Sequence, residues 1–287
     1  MGAPQTVGEA LQDARQALGA VSETPGLDAQ LLLSETIGAP RSWVLAHPES
    51  PLSPDHLDGF QAVLGRCLAG EALPHVLGRW EFYGRRFLLT PEVLIPRPET
   101  EILVDVALQQ LADRPRGVRV IDVGTGSGCI AVTLAAETPA IRVIATDTQA
   151  AALTLARRNA QLHGVADRVD LVRSDLLSAF GSPFDLVCAN LPYIPSEDLG
   201  HLVVGRREPV SALDGGADGL RLIRRLVEML PRLLAPGGQA VLEIGSGQAQ
   251  AVCALGRDVL PLVEIRLVPD LARHDRVVVV RRQGAST

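Results

Sequence analysis

Apolar residues recur at helical spacing in the first part of the chain. Thr6–Glu9 has the pattern of a capping box and opens a first helix. The apolar positions from Asp28 to Ile37 predict a second helix, and Ser53-Pro54 supplies an N-cap and a first-turn proline for a third. We therefore predict a small helical domain over residues 1–75. It is too small to carry cofactor chemistry of its own, so it is a candidate for substrate docking.

The pattern changes over residues 76–97. The aromatic residues and glycines from Val76 to Leu89 are typical of a β-hairpin. Pro96-Arg97-Pro98 disfavours helix before each proline, and Pro98 can open a helix that runs to about Leu111. We expect the hairpin at 76–97 to link the helical domain to a larger domain over residues 98–287.

Short apolar runs alternate with helical patterns over the rest of the chain. Strands are predicted at 118–123, 141–147, 168–172, 184–190, 238–244, 262–268 and 275–281, and helices at 127–137, 149–163, 218–234 and 247–257. This alternation predicts an α/β fold with a mostly parallel sheet covered on both faces. Only a short loop separates the last two strands, which predicts that they pair antiparallel.

Composition excludes several classes of chemistry. The chain has 287 residues, 47% of them hydrophobic, which is ample for a core, and its net charge is −6. No bulk positive field would draw it to nucleic acid, and we expect no direct nucleic-acid partner. All 27 basic residues are Arg, so Schiff-base and lysine-nucleophile chemistry are excluded.

The cysteines and histidines are scattered and predict no metal site. None of the cysteines forms a C-x-x-C pair or has a histidine at metal-ligand spacing: Cys67, Cys129, Cys188 and Cys253. They read as buried thiols in a reducing compartment. The sequence has neither a basic-then-apolar leader nor an uncharged stretch long enough to span a bilayer, so we expect a cytoplasmic protein with no membrane partner.

A glycine-rich turn lies between a predicted strand and a predicted helix. Asp122 precedes the candidate cofactor-binding residues Gly124, Thr125, Gly126, Ser127 and Gly128. Backbone amides at such a turn can hold a carboxylate, because the helix N-terminus adds a partial positive charge. Cys129 stands where a dinucleotide-binding G-x-G-x-x-G needs its third glycine, which disfavours NAD. A tight turn that binds no ligand is the alternative.

Two carboxylates follow the next strands. Asp147 ends a predicted strand about 20 residues beyond the turn, where a carboxylate can accept both ribose hydroxyls of an adenosine. Its alternative role is to cap the helix that starts near Gln149. Asp175 follows the third strand and is a candidate for the adenine edge, again with helix capping as the alternative.

Asn190-Leu191-Pro192-Tyr193 comes directly after the apolar run that ends at Ala189. The nitrogen of an amide is a poor nucleophile, because its lone pair is delocalised into the carbonyl. A site that methylates it must hold both N–H groups. Asn190 Oδ1 and the Leu191 carbonyl are suitable acceptors, and Tyr193 can pack on the substrate plane. The alternative is a strand-ending Asn followed by a turn.

These motifs together resemble the HemK/PrmC family of bacterial peptide chain release factor N5-glutamine methyltransferases. The resemblance covers nearly the whole chain. Beyond the glycine turn and the tetrapeptide, it is carried by Gly78–Phe87, Leu94–Glu101, Glu208–Leu213, Gly215-Gly216, Asp218–Leu220, Leu242–Gly245, Gln248, Asp270-Leu271 and Arg276–Val278. Several matches in the same order are far more specific than any one of them.

The resemblance implies a Rossmann-like, seven-stranded class I methyltransferase sheet. It implies that Gly124–Gly128, Asp147 and Asn190 contact S-adenosyl-L-methionine, which leaves as S-adenosyl-L-homocysteine. Asn190–Tyr193 would hold the glutamine of the GGQ motif of class I release factors, and the helical domain would dock the factor. The chain departs from the family at Leu191, where Pro is usual, and at Leu176, where some relatives have an aromatic residue near the adenine.

Three alternatives remain at this point. A nucleic-acid adenine-N6 methyltransferase must solve the same geometric problem at an exocyclic amine, but the acidic charge and the Ile95–Glu101 match oppose it. A nicotinamide-dependent oxidoreductase would also use a glycine turn. A non-catalytic binding module would keep the fold, but an intact Asn190 and glycine turn argue against it.

Overall fold

The computed structural model describes residues 5–112, 117–260 and 262–284, and these form two compact units that divide between Gly78 and Arg79. Within the described residues no helix has both the length and the apolar character needed to cross a bilayer.

The first unit is helical, as the sequence predicts. Its helices are α1 (Val7–Leu18), α2 (Pro25–Ile37), α3 (Arg41–Ala46), α4 (Pro54–Leu68) and α5 (Leu73–Leu77). The capping box at Thr6 and Glu9 is formed, and Ser53 accepts from the His56 amide. The sequence missed α3 and α5, because helices of five or six residues carry too few turns to show a period.

The β-hairpin opens the second unit. Strands β1 (Arg79–Phe82) and β2 (Arg85–Leu88) are antiparallel, and Tyr83 and Gly84 between them both have positive φ, as in a type I′ turn. The hairpin is shorter than the sequence predicted, because Val76 and Leu77 end α5 instead. Asn159 fixes its end: the side chain accepts from the Leu88 amide at 2.8 Å and donates to the Leu88 carbonyl at 3.1 Å.

The remaining elements form the predicted α/β fold. The helices are α6 (Pro98–Ala112), α7 (Cys129–Glu137), α8 (Ala150–Leu162), α9 (Val203–Arg207), α10 (Arg221–Leu233) and α11 (Ala249–Val259), with a 3₁₀ turn at Val210–Ala212. The strands are β3 (Arg119–Val123), β4 (Arg142–Asp147), β5 (Val169–Arg173), β6 (Phe184–Ala189), β7 (Leu234–Glu243), β8 (Val263–Pro269) and β9 (Asp275–Arg282).

The seven strands lie in the order β5-β4-β3-β6-β7-β9-β8. The first five strands in this order, from β5 through β4, β3 and β6 to β7, are parallel to one another. Strand β9 is antiparallel to both β7 and β8, which confirms the predicted antiparallel pairing of the last two strands. The order reverses between β3 and β6, so the carboxyl ends of these neighbours flank a crevice. Ligands of open α/β sheets bind at such a switch point.

Buried apolar residues cover both faces of this sheet. Along β6, Leu186 and Cys188 pack on one face with residues of α6 and α7, while Val187 and Ala189 pack on the other with residues of α10 and α11. This alternation is the period-2 pattern of a strand buried on both sides. A sheet fixed in this way holds its strand ends, and the loops that follow them, in constant positions.

Candidate active site

The glycine turn and the tetrapeptide are neighbours at the switch point. Val123 pairs with Ala189 across β3 and β6, so Gly124 and Asn190 leave the sheet side by side. Gly124 has a φ of +75°, and a Cβ built on it would come within 2.9 Å of Leu191 Cδ2. Glycine is therefore required here both by the backbone conformation and by the close approach of the two loops.

The backbone amides of the turn are largely satisfied inside the protein. Gly124 and Thr125 both donate to the Thr146 carbonyl, Gly128 donates to the Thr125 carbonyl, and Gly126 donates to Asp147 Oδ2 at 3.0 Å. The sequence analysis expected these amides to be donors for a ligand. In the structure four of these amides fix the turn, and their role toward a ligand stays a prediction.

Asp147 ends β4 and is half-buried. Besides Gly126, it accepts from the Gln149 amide at 2.9 Å. Gln149 itself is the N-cap residue of α8, so Asp147 supports the approach to that helix rather than capping it. A carboxylate has about four lone-pair sites, so each oxygen keeps capacity for a further donor in the cleft.

Gly128 packs on the neighbouring helix. Its φ is +83°, and a Cβ placed there would lie 2.9 Å from Ala156 Cβ and 3.1 Å from Ala156 Cα on α8. It does not line the cleft, although the sequence analysis grouped it with the cofactor-binding residues. In the structure its role is to let α7 start close to α8.

Asp122 lies beneath the turn and is fully buried. Its Oδ2 accepts from Thr125 Oγ1 at 2.6 Å and from the Ala131 amide at 3.2 Å, while Oδ1 has no partner among the described residues. Burial raises the pKa of this carboxyl to about 7, against the lowering effect of those two hydrogen bonds. The carboxyl group beneath the turn is thus buried with only one of its two oxygens hydrogen-bonded to described residues.

A cleft of about 980 Å³, part of it open to solvent, lies over these strand ends. The predicted site residues that line it are Gly124, Thr125, Gly126, Ser127, Asp147, Asp175, Leu176, Asn190, Leu191 and Pro192; Gly128 and Tyr193 do not. The described lining includes the carboxylates of Glu92, Asp147 and Asp175 and no Arg or His. Its electrostatic character therefore favours a cationic ligand over a phosphate.

Asp175 and Leu176 border the cleft in a turn after β5. Asp175 is about half-exposed and pairs with Arg225 at 2.7 Å. No helix starts after it among the described residues, so the helix-capping alternative for Asp175 is wrong. Leu176 is 6% exposed and has a φ of +51°, which directs its side chain into the apolar core beside the cleft.

The amide of Asn190 is oriented by buried neighbours. Asn190 Nδ2 donates to Thr100 Oγ1 at 3.0 Å, and Thr100 Oγ1 donates to Glu243 Oε2 at 2.6 Å. Because Nδ2 is engaged in this way, Oδ1 is the part of Asn190 that can act as an acceptor for a ligand. The sequence analysis proposed this oxygen as an acceptor for the substrate, and that role stays a prediction.

The rest of the tetrapeptide is fixed from the β7 side. Gln248 Nε2 donates to the Tyr193 carbonyl at 2.9 Å, and the Tyr193 hydroxyl lies 3.4 Å from Glu243 Oε1. Burial and the nearby Glu243 carboxylate raise the pKa of Tyr193 to about 12. Leu191 is 4% exposed and packs against Gly124, so it fills space between the two loops.

Comparison with known proteins assigns the family. The family model for the PrmC N-terminal domain matches residues 9–78, and the model for the methyltransferase small domain matches residues 99–206. The release factor glutamine methyltransferase of Moorella thermoacetica is 42% identical over 97% of this chain and 98% of its own. This chain belongs to the release factor glutamine methyltransferase family.

Other relatives agree with this assignment. The Bordetella pertussis release factor glutamine methyltransferase is 42% identical, over 88% of this chain and 93% of its own. A solved methyltransferase from Pyrococcus furiosus has the same fold, with a TM-score of 0.51 and 18% identity over 76% of this chain and 97% of its own. The predicted family and the class I methyltransferase fold are confirmed.

Several residues at this methyltransferase site were not assigned a role from the sequence. Thr100 and Glu243 join Asn190, and Glu208 accepts from the Ile95 amide at 2.8 Å and pairs with Arg97, beside the cleft-lining segment 92–96. Glu243 carried a usable signal, because it is a charge at the end of an apolar strand, as Asp147 is. Thr100 carried none, since a threonine in the first turn of a helix is ordinary.

Proposed function

We propose that this methyltransferase transfers a methyl group from S-adenosyl-L-methionine to the side-chain nitrogen of the glutamine in the GGQ motif of class I peptide chain release factors. The observation that carries the proposal is the orientation of Asn190 at the switch point, with its acceptor oxygen available and its amide nitrogen engaged by Thr100. The substrate class follows from the family to which the chain belongs.

The charge of the cleft supports binding of this methyl donor. S-adenosyl-L-methionine carries a sulfonium, an ammonium and one carboxylate, so it is a net cation, and the described lining has carboxylates without basic side chains. The buried Asp122 carboxyl, whose pKa burial raises to about 7, adds to the negative potential under the turn once it ionises. Asp147 would accept the ribose hydroxyls, and Asp175 with Leu176 would border the adenine. When bound, the donor supplies an electrophilic methyl group on sulfur.

The residues of the tetrapeptide position the acceptor amide. Asn190 Oδ1 accepts one N–H of the glutamine, and the Leu191 carbonyl accepts the other, which turns the nitrogen lone pair toward the methyl group. Tyr193, which does not itself line the cleft, would pack beside the substrate plane once the glutamine is bound. A new N–C bond forms as the S–C bond breaks, S-adenosyl-L-homocysteine is released, and the amide proton passes to water. The acceleration comes mainly from in-line positioning.

Residues 1–75 would dock the release factor. The match to the PrmC N-terminal domain covers residues 9–78, and the helical unit has its own apolar core. It contributes none of the described residues that line the cleft, all of which belong to the second unit. A docking role thus leaves the methyl-transfer chemistry to the second unit.

Two other functions are less well supported. A nicotinamide cofactor carries a pyrophosphate, which the carboxylates of the cleft would repel. A nucleic-acid adenine-N6 methyltransferase needs cationic side chains for phosphates, whereas the net charge of this chain is −6. The family assignment also points to a protein substrate.

Asn190→Ala tests the proposal. We expect kcat for methylation of a purified class I release factor to fall by about 100-fold or more, the scale of losing a positioned polar contact. Thermal melting should change little, because the residue lies at a strand end. Mass spectrometry of the product should locate the methyl group on the GGQ glutamine. Near wild-type kcat in the variant, or methylation of RNA adenine in place of the release factor, would refute the proposal.

A further inference from the structure

A chain of buried polar side chains runs from the end of β7 to Asn190. Glu243 is 1% exposed and Thr100 is 2% exposed, although both are polar. The two oxygens involved are 2.6 Å apart, a separation typical of a charge-assisted hydrogen bond from a hydroxyl to a carboxylate. Asn190 joins this pair through its Nδ2 at 3.0 Å.

The donors and acceptors of this hydrogen-bonded chain can be assigned from the chemistry of its groups. A carboxylate of Glu243 can only accept, so the Thr100 hydroxyl must donate its one hydrogen to Glu243. Thr100 Oγ1 can then only accept from Asn190. The nitrogen of the Asn190 amide therefore faces Thr100, and the oxygen faces away from it.

Glu243 also reaches the other end of the tetrapeptide. Its second oxygen, Oε1, lies 3.4 Å from the Tyr193 hydroxyl, which donates to it. Thus one buried carboxylate holds Asn190 through Thr100 with one oxygen, and holds Tyr193 with the other. These are the two side chains that the proposed function places around the glutamine.

We propose that Glu243 and Thr100 are positioning residues, which set the amide orientation of Asn190 and the ring position of Tyr193 for methyl transfer. The proposal rests on the proposed function, because it names what holds the acceptor groups of that site. Neither residue needs to touch the reacting atoms. Their effect is on how often Asn190 presents oxygen rather than nitrogen to the substrate.

Which groups donate and which accept in this hydrogen-bonded chain depends on the charge of Glu243. Burial raises its pKa to about 7, while the Thr100 hydroxyl and Arg276 on β9 act to lower it. The other groups that act electrostatically on it are Glu99 on α6, Tyr193 and Cys129. A protonated Glu243 can donate to Thr100, which frees the Thr100 hydroxyl to donate to Asn190 Oδ1 and so reverses the amide.

Thr100→Val is the first test, with full-length protein and a purified release factor. Valine keeps the shape but removes the hydroxyl, so we expect kcat to fall about 10- to 100-fold while KM and cofactor Kd change by less than about threefold. Thr100→Ser restores the hydroxyl and should keep kcat within about threefold of wild type.

Thr133→Val is the matched control. Thr133 is also fully buried, but its hydroxyl has no partner among the described residues and it does not line the cleft. Removing this hydroxyl should leave kcat unchanged. Thr100→Val with a kcat within about threefold of wild type, or Thr100→Ser as impaired as Thr100→Val, overturns the proposal.

The pH profile is a test that requires no threonine variant. In the wild type, kcat should rise as pH increases through about 7, as Glu243 ionises and fixes the direction of the chain. Glu243→Gln cannot titrate and should lose this rise. A flat wild-type profile from pH 6 to 8, or an unchanged rise in Glu243→Gln, overturns the inference. If the wild type itself fails to methylate release factors, the proposed function fails instead.

Discussion

Two carboxylates near the glycine turn are held in opposite ways. Asp147 is half-buried and accepts from two backbone amides, with further lone pairs available toward the cleft. Asp122 is fully buried, and one of its oxygens has no partner among the described residues. Asp147 therefore suits ligand binding. Asp122, in contrast, reduces the stability of the fold when it is ionised, because burial disfavours its negative charge.

Asp147→Ala should weaken binding of S-adenosyl-L-methionine by roughly 1.5–3 kcal/mol, the scale of charge-assisted hydrogen bonds. This corresponds to a Kd about 10- to 150-fold higher, measurable by calorimetry. Asp170→Ala is the control, because Asp170 lies half-exposed on β5, pairs with Arg142 and does not line the cleft. Unchanged affinity in folded Asp147→Ala would restrict Asp147 to supporting the backbone.

Asp122→Asn should change how stability depends on pH. The folded-state pKa of about 7 lies above the unfolded value of about 3.9. Between these values the folded state binds the extra proton, so the free energy of unfolding falls as pH rises. Asparagine does not titrate, so the decline from pH 5 to pH 8 should be smaller in the variant, by on the order of 2–3 kcal/mol.

Urea unfolding at the two pH values measures this decline in each protein separately. Any constant effect of the substitution cancels in the comparison. Glu243 is shifted in the same direction, so some decline should persist in Asp122→Asn. Equal declines in the two proteins would mean that Asp122 is ionised at a lower pH than its burial indicates.

At the scale of elements, the contact between α7 and α8 holds the glycine turn. Gly128 begins this contact against Ala156, and Asn159 on α8 donates to the Ser127 carbonyl at 2.8 Å. The same Asn159 binds Leu88 at the end of the hairpin. Helix α8 thus supports both the turn and the hairpin, and its close approach at Ala156 explains why the turn needs glycine at 128, a position that does not line the cleft.

Gly128→Ala should destabilise the fold by roughly 2–4 kcal/mol. About 1 kcal/mol comes from placing alanine at positive φ, and the rest comes from the overlap with Ala156. Gly164→Ala separates the two effects, because Gly164 has a φ of +67° and open space around it. In that control, the free energy of unfolding measured by chemical denaturation should fall by only about 1 kcal/mol. An equal fall in the free energy of unfolding of the two variants would show that the overlap with Ala156 does not contribute.

At the scale of the whole molecule, the chain divides into a helical unit and a sheet unit. Each has its own buried core. The described cleft-lining residues all belong to the second unit, and residues 9–78 match the PrmC N-terminal domain. This division separates methyl transfer from the proposed recognition of the release factor.

A chain that begins at Arg79 should bind S-adenosyl-L-methionine nearly as well as the full chain, because the lining residues are retained. Methylation of an intact release factor should become less efficient, mainly through a higher KM, if the helical unit supplies uniform binding. A short peptide containing GGQ should be methylated equally by both forms. An unchanged KM for the intact factor would exclude the docking role of residues 1–75.

The sequence by itself determined the elements and the strand ends. Its hydrophobic periods are local, so they predicted the seven strands and the longer helices, and the turn after β3 and the tetrapeptide after β6 followed from their positions. Parallel strands bring their carboxyl ends to one edge, which is why Asp147 and Asn190 could be assigned to one site. The short helices α3, α5 and α9 were not predicted, because five or six residues are too few to show a helical period.

Only the tertiary structure decided which polar groups meet. Thr100, Asn190 and Glu243 are far apart in sequence, and nothing local indicates that they form one hydrogen-bonded chain. The packing of Gly128 on Ala156 likewise depends on how two helices approach each other. Local sequence sets backbone conformation and burial period, whereas the partners of a buried side chain are set by the packing of distant elements.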